Sequence, residues 1–130
     1  MEAHHVGYMT KKLEKAREKF EGLGFVVERP VKYDELRQIN IEFLVNGAYR
    51  VELIEPDSKE SPFYPLMKKY KNTPYHFCYV TSDLSKEIEN LEGQGYHLID
   101  PPAVAVCIDD NDVAFLMHPN IGIIELVEIK

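Results

Sequence analysis

Two histidines and two glutamates stand at matching places in the two halves of the chain, and together these residue types can bind a metal ion. The stretch around His5 recurs around His76, at an offset of 71 residues (76 − 5). The stretch around Glu52 recurs around Glu125, at an offset of 73 residues (125 − 52). Two imidazoles and two carboxylates suit a divalent first-row metal such as zinc, nickel, cobalt, manganese or iron(II), whereas magnesium and calcium prefer mostly oxygen ligands. The repeat therefore predicts a metal site to which each half contributes one His and one Glu.

The residues next to these side chains also favour a position in a partly buried cavity over one on a solvated surface. Side chains alternate across a strand, so Glu52 shares a face with the apolar Ile54. A carboxylate among apolar side chains is costly unless it is paired or bound to a metal. His4 lies beside His5 but points to the opposite face of the same strand. We therefore predict that His4 is a surface or packing residue, not a ligand.

An internal repeat of this length predicts the fold class, because both halves must share one element order. Hydrophobic alternation and glycine-ended helical patterns give the order β-α-β-β-β in each half, and hence an α+β fold. The elements predicted for the first half are a strand over 3–9, a helix over 11–21 with Thr10 as its N-cap, a strand over 25–28, a loop over 29–35, and strands over 38–45 and 50–54 joined by an Asn46-Gly47 hairpin turn.

The second half follows the same plan, with Ser82-Asp83 predicted to cap its helix. Pro101-Pro102 is predicted to break the chain, and the acidic run 109–112 is predicted to form a solvated turn, since it lacks the ligand spacing of a calcium loop. We predict one domain over 1–130, made of modules 1–56 and 74–130 with a linker over 57–73.

Length, charge and cysteine content limit the classes of function. The chain has 130 residues and a formal net charge of −7, which argues against nucleic acid as a partner. No apolar run is long enough to span a membrane, and we see no signal peptide at the N-terminus. Cys78 and Cys107 lie in apolar runs and are predicted to be buried free thiols. These features predict a cytoplasmic protein without a membrane partner.

The four segments around the predicted ligands resemble the metal-binding motifs of the vicinal oxygen chelate (glyoxalase/bleomycin-resistance) superfamily. The resemblance covers essentially the whole chain, and segments such as Tyr75–Val80 and Val113–Pro119 are most similar to methylmalonyl-CoA epimerase-type members. The run 106–112 differs from those members, which usually carry glycines there. The resemblance implies two tandem βαβββ modules around a barrel-like, metal-containing cleft, often in a homodimer. It implies these metal ligands: His5, Glu52, His76 and Glu125.

The same resemblance implies proton abstraction next to the carbonyl of a ketone or thioester, through a metal-stabilised enediolate. One divalent ion, Zn, Ni, Co or Mn, would polarise the carbonyl, and a carboxylate would remove the α-proton. Glu125 is the first candidate for this base and Glu42, on the third strand, is the second. Four further residues are candidates for contacts with a small-molecule substrate: Arg50, Tyr79, His118 and Asn120.

The sequence leaves the function open among related activities and one different class. The first hypothesis is an epimerase of a 2-acyl thioester, and the second is lactoylglutathione lyase activity on a hemithioacetal. A metal-free protein that binds an antibiotic or metabolite is a third hypothesis, which the four filled ligand positions disfavour. An iron-dependent ring-cleaving dioxygenase is disfavoured because such members use two His and one Glu, so that Glu52 would be an extra ligand.

Overall fold

The computed structural model describes the whole chain, residues 1–130, and contains eight strands and three α-helices. None of these helices combines the length and apolar character that crossing a membrane requires. The strands are β1 (Glu2–Met9), β2 (Val26–Asp34), β3 (Ile39–Asn46), β4 (Tyr49–Pro56), β5 (Thr73–Thr81), β6 (His97–Ala105), β7 (Asn111–His118) and β8 (Gly122–Glu128). The helices are α1 (Leu13–Gly22), α2 (Tyr64–Tyr70), α3 (Leu84–Glu92) and one 3-10 turn (Val106–Ile108).

The chain divides into two compact units. The first unit is His5–Tyr75, and the second is His76–Lys130 together with Met1–His4. Neighbouring strands follow the order β2-β3-β4-β1 in the first unit and β6-β7-β8-β5 in the second. In both units the strand that opens the repeat pairs in parallel with the strand that closes it, and the remaining pairs are antiparallel. The predicted α+β fold of two β-α-β-β-β modules is thereby confirmed.

Each unit packs one helix against one face of its strands. In the first unit Leu13 of α1 packs against Leu44, Val51 and Leu53, with Phe20 at the edge. In the second unit three helix residues pack against four strand residues, namely Leu84, Ile88 and Leu91 against Ala114, Leu116, Ile124 and Leu126. Burial of these aliphatic side chains stabilises each helix on its strands, because isolated helices of this length are marginal in water.

The N-termini of α1 and α3 differ in whether the residue just before the helix caps it. Asp83 caps α3 as predicted, with its carboxylate accepting a hydrogen bond from Lys86 N at 3.1 Å. The predicted cap of α1 by Thr10 is wrong, because the helix begins at Leu13 and Lys12 precedes it without a side-chain cap. Glu55 replaces that cap from the closing strand, since its Oε2 accepts a hydrogen bond from Leu13 N at 2.8 Å.

Two predicted interruptions of strands are also wrong. The predicted loop over 29–35 falls mostly within β2, which continues to Asp34 with register shifts on either side of Arg29. Pro101-Pro102 does not end β6, because a register shift between Asp100 and Ala103 absorbs the two prolines. Both strands lie at the outer end of their unit's strand order, where a strand pairs on one side and tolerates bulges and proline.

Candidate metal centre

The first predicted pair of ligands comes together in the first unit. Strand β1 runs parallel to β4, and the register places Gly7 opposite Glu52. His5 precedes Gly7 by two residues and therefore shares its strand face. His5 Nε2 lies 3.4 Å from Glu52 Oε1, and both residues are buried, with 3% of their surface exposed.

The second unit contains the equivalent pair. Strand β5 runs parallel to β8, and Cys78, two residues after His76, lies opposite Glu125. His76 Nε2 lies 3.2 Å from Glu125 Oε1, and both residues are again buried. The same strand connection thus produces the same imidazole–carboxylate contact twice.

A phenylalanine packs edge-on against the imidazole in each pair. Phe43 lies opposite Glu52 in the register of β3 and β4, and its ring centroid is 5.3 Å from that of His5. Phe115 lies opposite Glu125, and its centroid is 5.5 Å from that of His76. The interplanar angles of 78° and 89° are those of edge-to-face contacts. These rings fix the orientation of each imidazole and keep one side of it away from water.

The geometry of each pair fits two ligands of one metal ion. Bonds of about 2.1 Å from an ion to a nitrogen and an oxygen place those atoms about 3.0 Å apart in octahedral and about 3.4 Å apart in tetrahedral geometry. The Nε2–Oε1 separations of 3.4 and 3.2 Å lie within this interval. Neutral imidazole and carboxylate are also the donor set that zinc, cobalt, nickel and manganese accept. The residues of each unit therefore fit a divalent ion.

Glu42, the second candidate base, lies on the other face of its strand. The register of β3 and β4 pairs Glu42 with Leu53, whereas Phe43 pairs with Glu52. Glu42 is 3% exposed, and its Oε1 accepts a hydrogen bond from Arg17 Nε of α1 at 2.7 Å. This hydrogen bond is the main reason that the pKa of Arg17 is raised above its ordinary value. Glu42 thus contacts the helix and faces away from the His5–Glu52 pair.

The four predicted substrate contacts lie in different settings. Arg50 shares the strand face of Glu52, and its Nε donates to Glu28 Oε1 at 2.9 Å. Tyr79 packs against the core of the second unit, on the face opposite Glu125.

His118 and Asn120 belong to the turn between β7 and β8. The Nδ1 of His118 accepts a hydrogen bond from Asn120 N at 3.1 Å, and the His118 ring lies 5.0 Å from that of Tyr96. His118 alternates with Met117 and so shares the helix-packed face of Leu116, while Asn120 is exposed. Among the four candidates, therefore, Arg50 alone shares a strand face with a predicted ligand.

Sequence reasoning missed the residues that support the site. Phe43 and Phe115 recur at matching places in the two halves, so the repeat itself contained the signal for a shared role at the imidazoles. Glu55 and Glu128 also recur, and each accepts a hydrogen bond from the first N–H of a helix, at Leu13 and Leu84. The match between the two halves contains both pairs of residues but does not indicate their roles.

Comparison with known proteins places these observations in a family. A model of the glyoxalase/bleomycin resistance protein/dioxygenase superfamily matches residues 4–115. Among curated proteins, the chain is 29% identical over 99 residues to the uncharacterized protein YqjC of Bacillus subtilis, which covers 74% of this chain and 69% of that protein.

Solved structures share the fold at low sequence identity. The hypothetical protein BH1468 from Bacillus halodurans superposes with a TM-score of 0.86 at 23% identity, over 99% of this chain and 94% of that chain. Methylmalonyl-CoA epimerase from Mycobacterium tuberculosis gives a TM-score of 0.82 at 22% identity, over 99% and 88% of the two chains. The methylmalonyl-CoA epimerase of Streptomyces coelicolor, in complex with 2-nitronate-propionyl-CoA, gives 0.83 at 22% identity, over 98% and 96%. The chain belongs to the glyoxalase/bleomycin resistance protein/dioxygenase superfamily.

Proposed function

We propose that this protein is a divalent-metal-dependent isomerase or lyase that removes a proton next to a carbonyl, in a reaction most like that of methylmalonyl-CoA epimerase. The observation that supports this proposal is the buried imidazole–carboxylate pair that recurs in both units with nearly the same separation. A single buried pair is compatible with a structural hydrogen bond. Two equivalent pairs with matching aromatic neighbours favour a duplicated ligand set.

The proposed ligands of one ion are the two pairs, His5 with Glu52 and His76 with Glu125. Each carboxylate lies among apolar residues, where an uncompensated charge would be costly. Coordination would offset that cost and explain why the chain maintains two buried glutamates. When bound, a divalent ion supplies Lewis-acid polarisation of a substrate carbonyl.

The chain's own residues then have separate roles. Phe43 and Phe115 hold the imidazoles by edge contacts and limit access of water to them. Glu125 is the proposed base as well as a proposed ligand: its carboxylate would lean towards the substrate and take the α-proton, and a proton exchangeable with solvent would then be delivered to the opposite face of the carbon. Glu42 receives a packing role, because it faces α1 and is hydrogen-bonded to Arg17. Arg50 is the proposed substrate contact, since its guanidinium lies on the strand face of Glu52 and is one-third exposed (33%).

The proposed substrate class is taken from epimerases that share the fold. One of them is known in complex with methylmalonyl-CoA and NH4+. We propose a 2-acyl thioester for this chain, with a hemithioacetal of glutathione as the alternative. A homodimer in the cytoplasm, without a nucleic-acid or membrane partner, stays a prediction.

Metal analysis together with isotope exchange tests the proposal. The purified chain is loaded with cobalt, nickel, zinc or manganese, and bound metal is measured after desalting. We expect about one ion per chain. Solvent deuterium should then enter the α-position of methylmalonyl-CoA, and a parallel assay should follow methylglyoxal with glutathione. Activity on the second substrate alone would reassign the reaction to the lyase.

Two matched variants make the test specific. His5→Ala should lose both bound metal and exchange, whereas His4→Ala, whose side chain points to the other strand face, should retain both. A protein that binds less than about 0.1 ion per chain under all four loadings would contradict the proposal and favour a metal-free binding protein. Full metal loading without turnover of either substrate would contradict the proposed reaction but would still support the metal site.

A further inference from the structure

A cavity lies beside α1 in the first unit, apart from the candidate metal centre. Its volume is about 420 Å³, which is within the range of small-molecule sites. Tyr8, Ala16 and Phe20 line its apolar part. Tyr8 lies on the helix-packed face of β1, whereas His5 lies on the opposite face, so strand alternation separates this cavity from the metal ligands.

The rim of this cavity is strongly basic. It is lined by four lysines and by no acidic side chain, although the whole chain has a net charge of −7. None of the four amino groups forms an ion pair within the protein. The concentration of positive charge at one cavity of an acidic protein produces a local field that attracts anions. The four lysines are Lys11, Lys12, Lys15 and Lys19.

The second unit does not repeat this basic rim. At the offset of 71 residues, Lys11 and Lys12 correspond to Ser82 and Asp83, and Lys19 corresponds to Asn90. Only Lys15 has a basic counterpart, Lys86, and Ala16 is replaced by Glu87. The fold therefore does not require lysines on this helix face. The charge is a property of the first unit alone.

One polar residue in the wall of the cavity, Asn72, holds the segment just before α1 in place by hydrogen bonds. Asn72 accepts hydrogen bonds from Lys11 N at 2.9 Å and from Thr10 Oγ1 at 3.2 Å. These two bonds join the start of the helix to the segment after α2 and give the cavity a defined wall. Part of the binding surface is thus ordered before a ligand arrives, which lowers the entropic cost of binding.

We propose that this cavity binds a small molecule that joins a flat apolar group to phosphate, of which a mononucleotide is the simplest form. The aromatic rings of Tyr8 and Phe20 would contact the flat group. The lysine ammonium groups would pair with the phosphate oxygens as mobile point charges. The site is independent of the proposed metal-dependent reaction, because it uses none of the residues assigned to that reaction.

Titration of the full chain with mononucleotides tests this proposal. Amide shifts of the 15N-labelled protein should move at Lys11, Ala16 and Asn72 when AMP or ADP is added, and the affinity should fall as NaCl is raised. ADP should bind at least about tenfold more tightly than pyrophosphate, because pyrophosphate lacks the flat apolar group. Equal affinity for the two compounds would overturn the assigned ligand class.

Paired charge reversals localise the site. The Lys15→Glu/Lys19→Glu double variant changes two exposed residues and should weaken ADP binding by at least about tenfold. Lys86→Glu, the equivalent change in the second unit, should leave the affinity unchanged. The His5→Ala variant should also bind ADP normally, so failure of the metal proposal would not affect this result. Unchanged binding in the double variant, an equal loss in Lys86→Glu, or no shift at about 5 mM ADP would refute the proposal.

Discussion

The two units of the chain agree closely at the imidazole–glutamate contact on one strand face and differ at one helix contact on the other face. On the first face, each unit has a histidine 3.2–3.4 Å from a glutamate and an edge-on phenylalanine 5.3–5.5 Å from the imidazole. On the helix-packed face, the partly buried ion pair of Arg17 and Glu42 in the first unit has its counterpart in the apolar Ile88 and Ala114.

The difference indicates which contacts the fold can replace and which contacts both units retain. An apolar contact and a buried ion pair both hold a helix on its strands, so the helix-packed face tolerates either solution. The helix caps also agree between units, since Glu55 and Glu128 accept hydrogen bonds of 2.8 and 2.7 Å from Leu13 and Leu84. The contact in which both units agree most closely is that of the imidazole with its glutamate and its edge-on phenylalanine. That agreement is the strongest structural reason to look for function there.

The largest expected effect tests whether the two pairs are equivalent. His5→Ala and His76→Ala should each weaken binding of cobalt or zinc by at least about 100-fold, because each removes a proposed ligand. Metal affinity measured with a competing chelator provides the comparison, and His4→Ala is the control. A normal metal affinity in either variant would show that the substituted histidine is not a ligand. The two pairs would then not be equivalent.

The next largest effect is expected from removing the cation of the Arg17–Glu42 ion pair on the helix-packed face. Arg17→Ile leaves Glu42 buried at 3% exposure without its cation and should lower the free energy of unfolding by about 2–4 kcal/mol. Urea unfolding measures this change.

A double variant replaces this ion pair by the apolar residues that the second unit has at the same places. Arg17→Ile combined with Glu42→Ala reproduces the residues found at Ile88 and Ala114 and should recover most of the lost stability, because a packed apolar contact often equals a buried ion pair. A double variant as unstable as the single one would indicate that the ion pair has a role that apolar packing does not replace. The Arg17 guanidinium is charged at neutral pH, as guanidinium groups in proteins are, and its hydrogen bond to Glu42 raises its pKa further.

Much of the fold and the pairing of each candidate histidine with a glutamate were accessible from the sequence, because the repeat correlates residues that are weak signals alone. A single histidine in a strand predicts little, but His5 and His76 at matching places predict a shared role. Strand alternation then separated His4 from His5. The α+β class and the β-α-β-β-β order followed from the same match, and the structure confirms both.

The remaining features depend on contacts between residues distant in sequence. The cap of α1 is Glu55, 42 residues after Leu13, so no local pattern identifies it. Thr10 has the right residue type for a cap, but its hydroxyl donates to Asn72. Pro101 and Pro102 indicate a break locally, yet an outer strand with a bulge accommodates them. The partner of Glu42 is likewise unpredictable, because only helix packing brings Arg17 to it.

A smaller effect tests the shared helix caps. Glu55→Ala and Glu128→Ala each remove the acceptor of a helix N–H and should each cost about 1 kcal/mol of stability. Glu55 also accepts a hydrogen bond from Asn40 Nδ2 at 3.2 Å, so its substitution should cost more than that of Glu128. Urea unfolding of both variants gives the comparison. No loss in either variant would contradict the capping role.

The smallest effect on stability tests the one substrate candidate that lies on the ligand-bearing face. Arg50 and Glu28 form an exposed ion pair at 2.9 Å, and the residues at their places in the second unit are Ile123 and Ile99. Because both side chains are about one-third exposed, Arg50→Met should cost less than about 1 kcal/mol of stability. If Arg50 contacts the substrate, KM of the metal-loaded protein should rise while metal affinity stays unchanged. Glu28→Gln breaks the same ion pair and leaves Arg50 in place. An equal rise of KM in that variant would contradict a direct contact between Arg50 and the substrate.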